Sequence, residues 1–116
     1  MPRGVYGTFK AFRWSMQGLR SAWLHEASFR LEVVLAVCLL PAGAVLGNTG
    51  VERVLLMGSV LGVLALELLN SAIEAVIERY GAEHHELAGR AKDMGSAAVF
   101  MGITSVLITW GCILIG

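Results

Sequence analysis

Three long apolar runs, separated by a short turn and by a longer stretch that carries charges, dominate the chain. They cover residues 31–47, 51–66 and 97–116, and the last run contains no charged residue. A bilayer core about 30 Å thick requires roughly 20 helical residues. The third run has this length, and the first two reach it when their polar ends lie at the membrane interfaces. The pattern therefore predicts three transmembrane helices.

A different periodicity precedes the first run. Apolar residues recur there at three- and four-residue spacing and form a stripe about 80° wide on a helix, with basic and amide side chains on the adjacent stripe. The apolar members are Phe9, Phe12, Met16, Leu19 and Trp23, and the polar members are Lys10, Arg13, Gln17 and Arg20. The pattern predicts an amphipathic helix lying on the membrane surface. Packing of the same apolar stripe against the protein's own spans is the alternative.

Composition agrees with a membrane protein. Of 116 residues, 56% are hydrophobic and only 16% are charged, which is too apolar for an ordinary soluble domain of this size. The formal net charge is zero, so no nucleic-acid partner is expected. We predict one all-α membrane domain over residues 1–116, with a surface helix at about 5–27 and spans at about 30–47, 51–80 (including a cytoplasmic extension) and 92–115. Cys38 and Cys112 lie inside apolar runs, where small buried fillers are expected rather than a disulfide.

The distribution of basic residues predicts the orientation. Only Arg53 lies at the turn between the first two spans, whereas most basic residues precede the first span or follow the second: Arg3, Lys10, Arg13, Arg20, Arg30, Arg79, Arg90 and Lys92. Positive residues mark the cytoplasmic side. The N-terminus and the loop at residues 79–93 should therefore be cytoplasmic, and the turn at residues 47–50 should lie outside.

Acidic and amide residues at the end of the second span carry the strongest functional signal. Glu67, Asn70, Glu74 and Glu78 follow the spacing i, i+3, i+7, i+11, which places them on one helix face near the cytoplasmic boundary. A charge inside the bilayer costs at least about 2.5 kcal/mol, so this stripe requires a compensating cation or a function. Glu78, at the helix end, is equally well explained as part of a solvated face.

Two more acids, Glu26 and Glu32, flank the predicted junction of the surface helix and first span. Carboxylates converging from separate elements suggest a magnesium ion, which completes its shell with water and substrate phosphates. Cationic residues in the following loop would neutralise phosphate oxygens; they are Lys92, Arg90, His84 and His85, the histidines being surface residues by default. The phosphate-loop and kinase motifs of soluble enzymes are absent, so spacing and charge alone do not identify the nucleotide site.

The segments "GLRSAWLHEASFRLE", "ELLNSAIEAVIERYG" and "HHELAGRAKDMGSAAV" resemble the prokaryotic diacylglycerol kinase family, small integral-membrane lipid kinases. The resemblance runs from about Lys10 onward. It implies a homotrimer of the bacterial inner membrane with active sites between subunits. It also implies ATP- and Mg²⁺-dependent phosphorylation of diacylglycerol to phosphatidic acid.

The same resemblance implies roles for individual residues. Glu67 matches the catalytic base and Asn70 a supporting polar residue, while Glu26 and Glu74 match ligands of magnesium and nucleotide. Five residues match further nucleotide contacts of the family; they are Glu83, His84, His85, Lys92 and Asp93. Six residues match positions of the lipid site; they are Arg20, Trp23, Phe29, Arg30, Glu32 and Ser96. Trp14 stands where relatives carry a tyrosine of the nucleotide site, and Gly7 stands where they carry an arginine. Nucleotide contacts from Arg3, Lys10 or Arg13 therefore stay open.

Three alternatives differ in chemistry. An undecaprenol kinase of the same superfamily shares E-L-L-N and K-D, although "GRAKDMGSAAV" is closer to the diacylglycerol branch. A small proton-coupled exporter also uses an embedded glutamate, but it would not require Lys92, Asp93 or a second set of cytoplasmic carboxylates. A purely structural assembly would use small residues such as Gly58 and Gly62, whose G-x-x-x-G spacing predicts close helix packing.

Overall fold

The computed structural model describes residues 4–79 and 86–116, and within these ranges it consists of four helices and no strand. The helices are α1 (Val5–His25), α2 (Ala27–Leu46), α3 (Gly50–Arg79) and α4 (Glu86–Ile115). By length and composition, α2, α3 and α4 can each cross a membrane. The predicted all-α class, with one amphipathic helix and three spans, is confirmed. The predicted nucleotide contacts Glu83, His84 and His85 lie outside the described residues.

The junction between α1 and α2 is a single residue, Glu26. Its backbone is extended (φ −117°, ψ 108°), and it ends one helix and begins the next. The last carbonyls of a helix have no intrahelical partner. Here the Arg30 guanidinium donates from Nη1 to the carbonyl oxygens of Trp23 at 2.7 Å and Leu24 at 3.3 Å. Arg30 thereby fixes the corner at which the Glu26 carboxylate lies.

Local hydrogen bonds close the turn between α2 and α3. The Glu52 backbone N–H donates to Thr49 Oγ1 at 3.1 Å, and Glu52 Oε1 accepts from the Asn48 N–H at 2.8 Å. The first bond is that of a helix N-cap, and the second reaches one residue further back than in a capping box. Arg53 Nη1 donates to the Gly47 carbonyl oxygen at 3.2 Å, which ties the start of α3 to the end of α2.

Helix α3 packs against both other spans. Its buried residues include Leu56, Val60 and Val63, and the indole N–H of Trp110 in α4 donates to the Leu56 carbonyl oxygen at 3.1 Å. Small residues allow helix backbones to approach closely in membranes. The close approaches lie at Gly43, Gly95 and Gly102, whereas a Cβ at Gly58 or Gly62 would meet no atom within 4 Å. Within this chain, the G-x-x-x-G pair is therefore not the packing site that its spacing predicts.

Several apolar side chains are exposed on this chain. On α1, Phe9 is 73% and Phe12 63% exposed, and the rest of the apolar stripe is exposed as well. The protein's own spans do not cover this stripe, which favours its placement in the membrane interface. Cys38 and Cys112 are also exposed, so their interpretation as buried fillers is wrong. Both lie on outward-facing positions of helices that can span a membrane, where a small apolar side chain costs little.

Candidate functional site

The predicted acidic face of α3 passes from a buried to an exposed environment along its length. Glu67 is only 6% exposed and is the buried charged residue of the described chain. Asn70 and Glu74 are half-buried, and Glu78 is exposed. One helix face therefore presents carboxyl groups at successive depths, with Glu67 the deepest.

Glu67 lies beside a second carboxyl group, that of Glu32 on α2. The two side chains are close enough to interact directly, and Glu74 and Glu26 are near enough to exert electrostatic repulsion on Glu67. Glu32 Oε2 is buried and has no hydrogen-bond partner among the described residues. Neighbouring carboxylates repel each other when both are charged, so this pair requires a proton or a cation. Glu67 can meet this requirement by accepting a proton.

A cavity of about 940 Å³ separates α1 from the C-terminal half of α3. Glu26, at the corner between α1 and α2, and Glu74 both line it, together with His25, Ser71 and Glu78. The two carboxylates predicted to bind magnesium therefore belong to one cavity, although they are 48 positions apart in the sequence (74 − 26). Its volume lies at the upper end of the usual range for ligand sites.

The donor set of this cavity fits a magnesium ion bound together with a phosphate. Among the described residues, no group of three or more His, Cys, Asp or Glu side chains is placed to hold a metal. A site formed by protein groups alone is therefore not present in that part of the chain. Magnesium, however, commonly uses one or two carboxylates and keeps water and substrate phosphates as its other ligands. Glu26 and Glu74 suit this arrangement.

Asn70 links the two depths of the acidic face. Its Nδ2 donates to Glu74 Oε1 at 3.3 Å, one helical turn away. Its Oδ1 is buried and has no hydrogen-bond donor among the described residues. Asn70 is therefore placed to orient Glu74, which agrees with the supporting role that the resemblance implies.

Lys92 and Asp93 lie on α4, not in a loop. The sequence predicted a loop up to Asp93, but α4 already begins at Glu86. The reason is that residues 86–92 are mostly good helix formers, with an acid in the first turn and a weak Glu86–Arg90 ion pair at 3.8 Å. The two side chains are exposed and form no ion pair within the described chain. Adjacent helical positions diverge, so Asp93 and Lys92 do not support each other through an ion pair.

The residues expected to line the lipid site have different surroundings. Phe29 is only 3% exposed and belongs to the core, and Arg30 holds the end of α1. Glu32 lines an apolar crevice of about 190 Å³, together with Leu35 on α2, Val60 on α3 and further apolar side chains. The other expected contacts are exposed; they are Arg20, Trp23, Ser96 and the nucleotide-site candidate Trp14.

Three site residues were not predicted from the sequence. Ser71 lines the cavity with a buried Oγ that has no partner among the described residues, and His25 lines it beside Glu26. Gly95 is buried on α4 at the level of Asn70. Of the three, only Gly95 could have been recognised from the sequence, because a glycine inside a helix is costly and often has a packing reason.

These features define a class of protein: a small helical membrane protein with carboxylates gathered near one end of a span, beside a cavity. The family model described as "Prokaryotic diacylglycerol kinase" matches residues 13–114. The chain belongs to the prokaryotic diacylglycerol kinase family.

Relatives match over nearly their whole length. The diacylglycerol kinase of Haemophilus influenzae is 50% identical over 111 residues, covering 96% of this chain and 94% of that protein. The diacylglycerol kinase of Escherichia coli strain K12 is 52% identical over 112 residues, covering 97% and 91%. That of Pseudomonas aeruginosa is 42% identical over 113 residues, covering 97% and 92%. The resemblance stated from the sequence is thereby confirmed.

Proposed function

We propose that this chain transfers the terminal phosphoryl group of ATP to the free hydroxyl of diacylglycerol at the cytoplasmic membrane interface, forming phosphatidic acid. The observation that carries the proposal is the buried carboxyl of Glu67, beside Glu32 and close to a cavity bearing Glu26 and Glu74. A lipid hydroxyl lies at the interface and ATP is confined to water. An enzyme that joins them requires its base at this boundary and its phosphate ligands just outside it.

Each residue has one task in the proposed reaction. Glu67 accepts the proton of the lipid hydroxyl while the hydroxyl oxygen bonds to the γ-phosphorus. The bond from that phosphorus to the β–γ bridging oxygen breaks, and ADP is released. Glu26 and Glu74 would hold Mg²⁺, which supplies charge neutralisation on the phosphates when bound. Asn70 orients Glu74 through its hydrogen bond. Phosphoryl transfer depends mainly on such positioning and electrostatics.

A homotrimer with sites between subunits belongs to the same proposal. Lys92 lies about one turn before Gly95 on α4, and Gly95 packs against Asn70, so Lys92 lies near the level of Glu74. Its side chain is nevertheless exposed and does not line the cavity between α1 and α3. A neighbouring subunit would bring Lys92 and Asp93 to a nucleotide held by Glu26 and Glu74. The exposed apolar surface of the chain supports such an association.

The proposed topology places α1, the C-terminal end of α3 and the N-terminal end of α4 on the cytoplasmic side, because basic residues concentrate there. In a variant with both native cysteines replaced by alanine, single cysteines at Asn48 and at Glu86 should react with a membrane-impermeant thiol reagent from opposite sides. Asn48 should label in intact cells, and Glu86 only after the cells are opened. Labelling of both in intact cells would contradict this orientation.

The substrate is tested by offering two lipid alcohols to the purified protein in mixed micelles with γ-labelled ATP and Mg²⁺. Label should enter diacylglycerol, and undecaprenol should be labelled at least about tenfold more slowly, a difference of roughly 1.4 kcal/mol in transition-state binding. Preferential labelling of undecaprenol would assign the chain to the other branch. If neither lipid is labelled, kinase function is contradicted. A proton-coupled exporter would then be the explanation of the buried Glu67.

A further inference from the structure

The backbone of α4 lies against the acidic face of α3 at Gly95. Gly95 is buried, and a Cβ built on it would collide with Oδ1 of Asn70 and lie 3.4 Å from Asn70 Cγ and 3.6 Å from Ile73 Cδ1. The space that any L side chain would occupy at this position is therefore already filled by the Asn70 amide.

The orientation of that amide is fixed from its other end. Nδ2 donates to Oε1 of Glu74, so the nitrogen faces Glu74 and the oxygen faces Gly95. Oδ1 is buried and has no hydrogen-bond donor among the described residues. The amide is thus confined between the Glu74 carboxylate on one side and the bare backbone of α4 on the other.

We propose that Gly95 is a positioning residue of the phosphoryl-transfer site: by leaving room for Oδ1, it keeps the Asn70 amide turned toward Glu74. The inference rests on the proposed function, in which Glu74 holds magnesium. Residues that orient a metal ligand are typically worth 10- to 100-fold in metal affinity or activity. Gly95 has no side chain with which to bind metal or substrate and acts through Asn70.

The neighbouring glycines show that this is a specific contact and not general helix packing. Gly102 also lies where α4 meets α3, but a Cβ there would meet Leu66 Cδ1 at 2.8 Å, the flexible end of an apolar side chain. At Gly89, on the same helix, a Cβ would meet nothing within 4 Å. Gly102→Ala therefore tests helix separation, and Gly89→Ala tests the helix itself.

The first test is spectroscopic and requires no activity. The chain contains two asparagines, Asn48 and Asn70, so ¹⁵N-asparagine labelling yields two side-chain amide groups in NMR spectra of the detergent-solubilised protein. Asn48 lies in the turn at the opposite end of α3 and serves as an internal reference. Gly95→Ala should shift the Asn70 side-chain signals and leave those of Asn48 in place. Gly102→Ala and Gly89→Ala should shift neither.

The second test measures coupling in the labelled-phosphate assay. Gly95→Ala should raise the magnesium concentration for half-maximal rate about tenfold or more, with little change in the KM for diacylglycerol. Because Gly95 acts through Asn70, adding Gly95→Ala to Asn70→Ala should cause no further loss. The proposal would be overturned if the activity losses of Gly95→Ala and Asn70→Ala multiplied in the double variant. It would also be overturned if Gly95→Ala left the Asn70 side-chain signals in place, or if Gly102→Ala shifted those signals equally.

A folding defect does not remove the test. The clashing atom is the end of a side chain, so Gly95→Ala is expected to fold with the amide displaced. If Gly95→Ala does not fold, the double variant with Asn70→Ala should fold, since only the ordinary 3.6 Å contact with Ile73 Cδ1 is left. A double variant that also fails to fold would contradict the inference. Failure of the proposed function itself is seen separately, as absence of labelled lipid with the wild-type protein.

Discussion

Replacing Glu67 with glutamine should reduce the turnover of phosphoryl transfer at least about a hundredfold, because a general base typically contributes 10² to 10⁴ in rate. Glutamine retains the length and hydrogen-bonding reach of glutamate but cannot accept the proton of the lipid hydroxyl. The measurement is kcat in mixed micelles with both substrates saturating. Binding of a non-hydrolysable ATP analogue should persist, because the proposed nucleotide ligands Glu26 and Glu74 are left unchanged.

Folding should also survive this substitution. Glu67 is 6% exposed and faces the Glu32 carboxyl group, so removing its charge relieves repulsion and eliminates the cost of burying an acid at the membrane boundary. The thermal midpoint in detergent should therefore be equal to or higher than that of the wild type. Glu78→Gln, on the same helix face but exposed, is the matched control and should leave turnover nearly unchanged.

Replacing Glu26 or Glu74 with glutamine should lower activity about 10- to 100-fold at low magnesium, a loss typical even of groups that only support a metal ligand. Both residues line one cavity. The described chain places no third carboxylate with them that could take over as a metal ligand. Excess magnesium should restore part of the activity, since the remaining carboxylate and the ATP phosphates still bind it. The readout is initial rate against magnesium concentration.

Glu78→Gln is again the control, because Glu78 lines the same cavity from an exposed position. Its magnesium dependence should match that of the wild type. Similar losses at Glu26, Glu74 and Glu78, with no restoration by magnesium, would show that the cavity acts only through its overall negative charge.

The helical architecture and the acidic face followed from periodicity alone. Apolar runs of membrane-spanning length predicted α2, α3 and α4, and the i, i+3, i+7, i+11 spacing placed Glu67, Asn70, Glu74 and Glu78 on one face. Both rules depend only on local helix geometry. The convergence of Glu26 with Glu74 was also foreseen, because the end of α1 and the end of α3 had to meet at one membrane surface.

Contacts between helices were less predictable, because they depend on tertiary packing. Sequence alone does not show that Phe29 is a core residue, that Arg30 holds the end of α1, or that Gly95 meets Asn70. The helical start of α4 was masked by charged residues that resemble a loop but also favour helix.

The central claim is that a buried glutamate at the membrane boundary removes the proton of a lipid hydroxyl during phosphoryl transfer. Its most direct test is the initial rate of label transfer from γ-labelled ATP into phosphatidic acid, measured side by side for the wild-type protein and Glu67→Gln. We predict rapid labelling by the wild type and about one hundredth of that rate or less for the variant. Comparable rates for the two proteins, or no lipid labelling by the wild type, would contradict the claim.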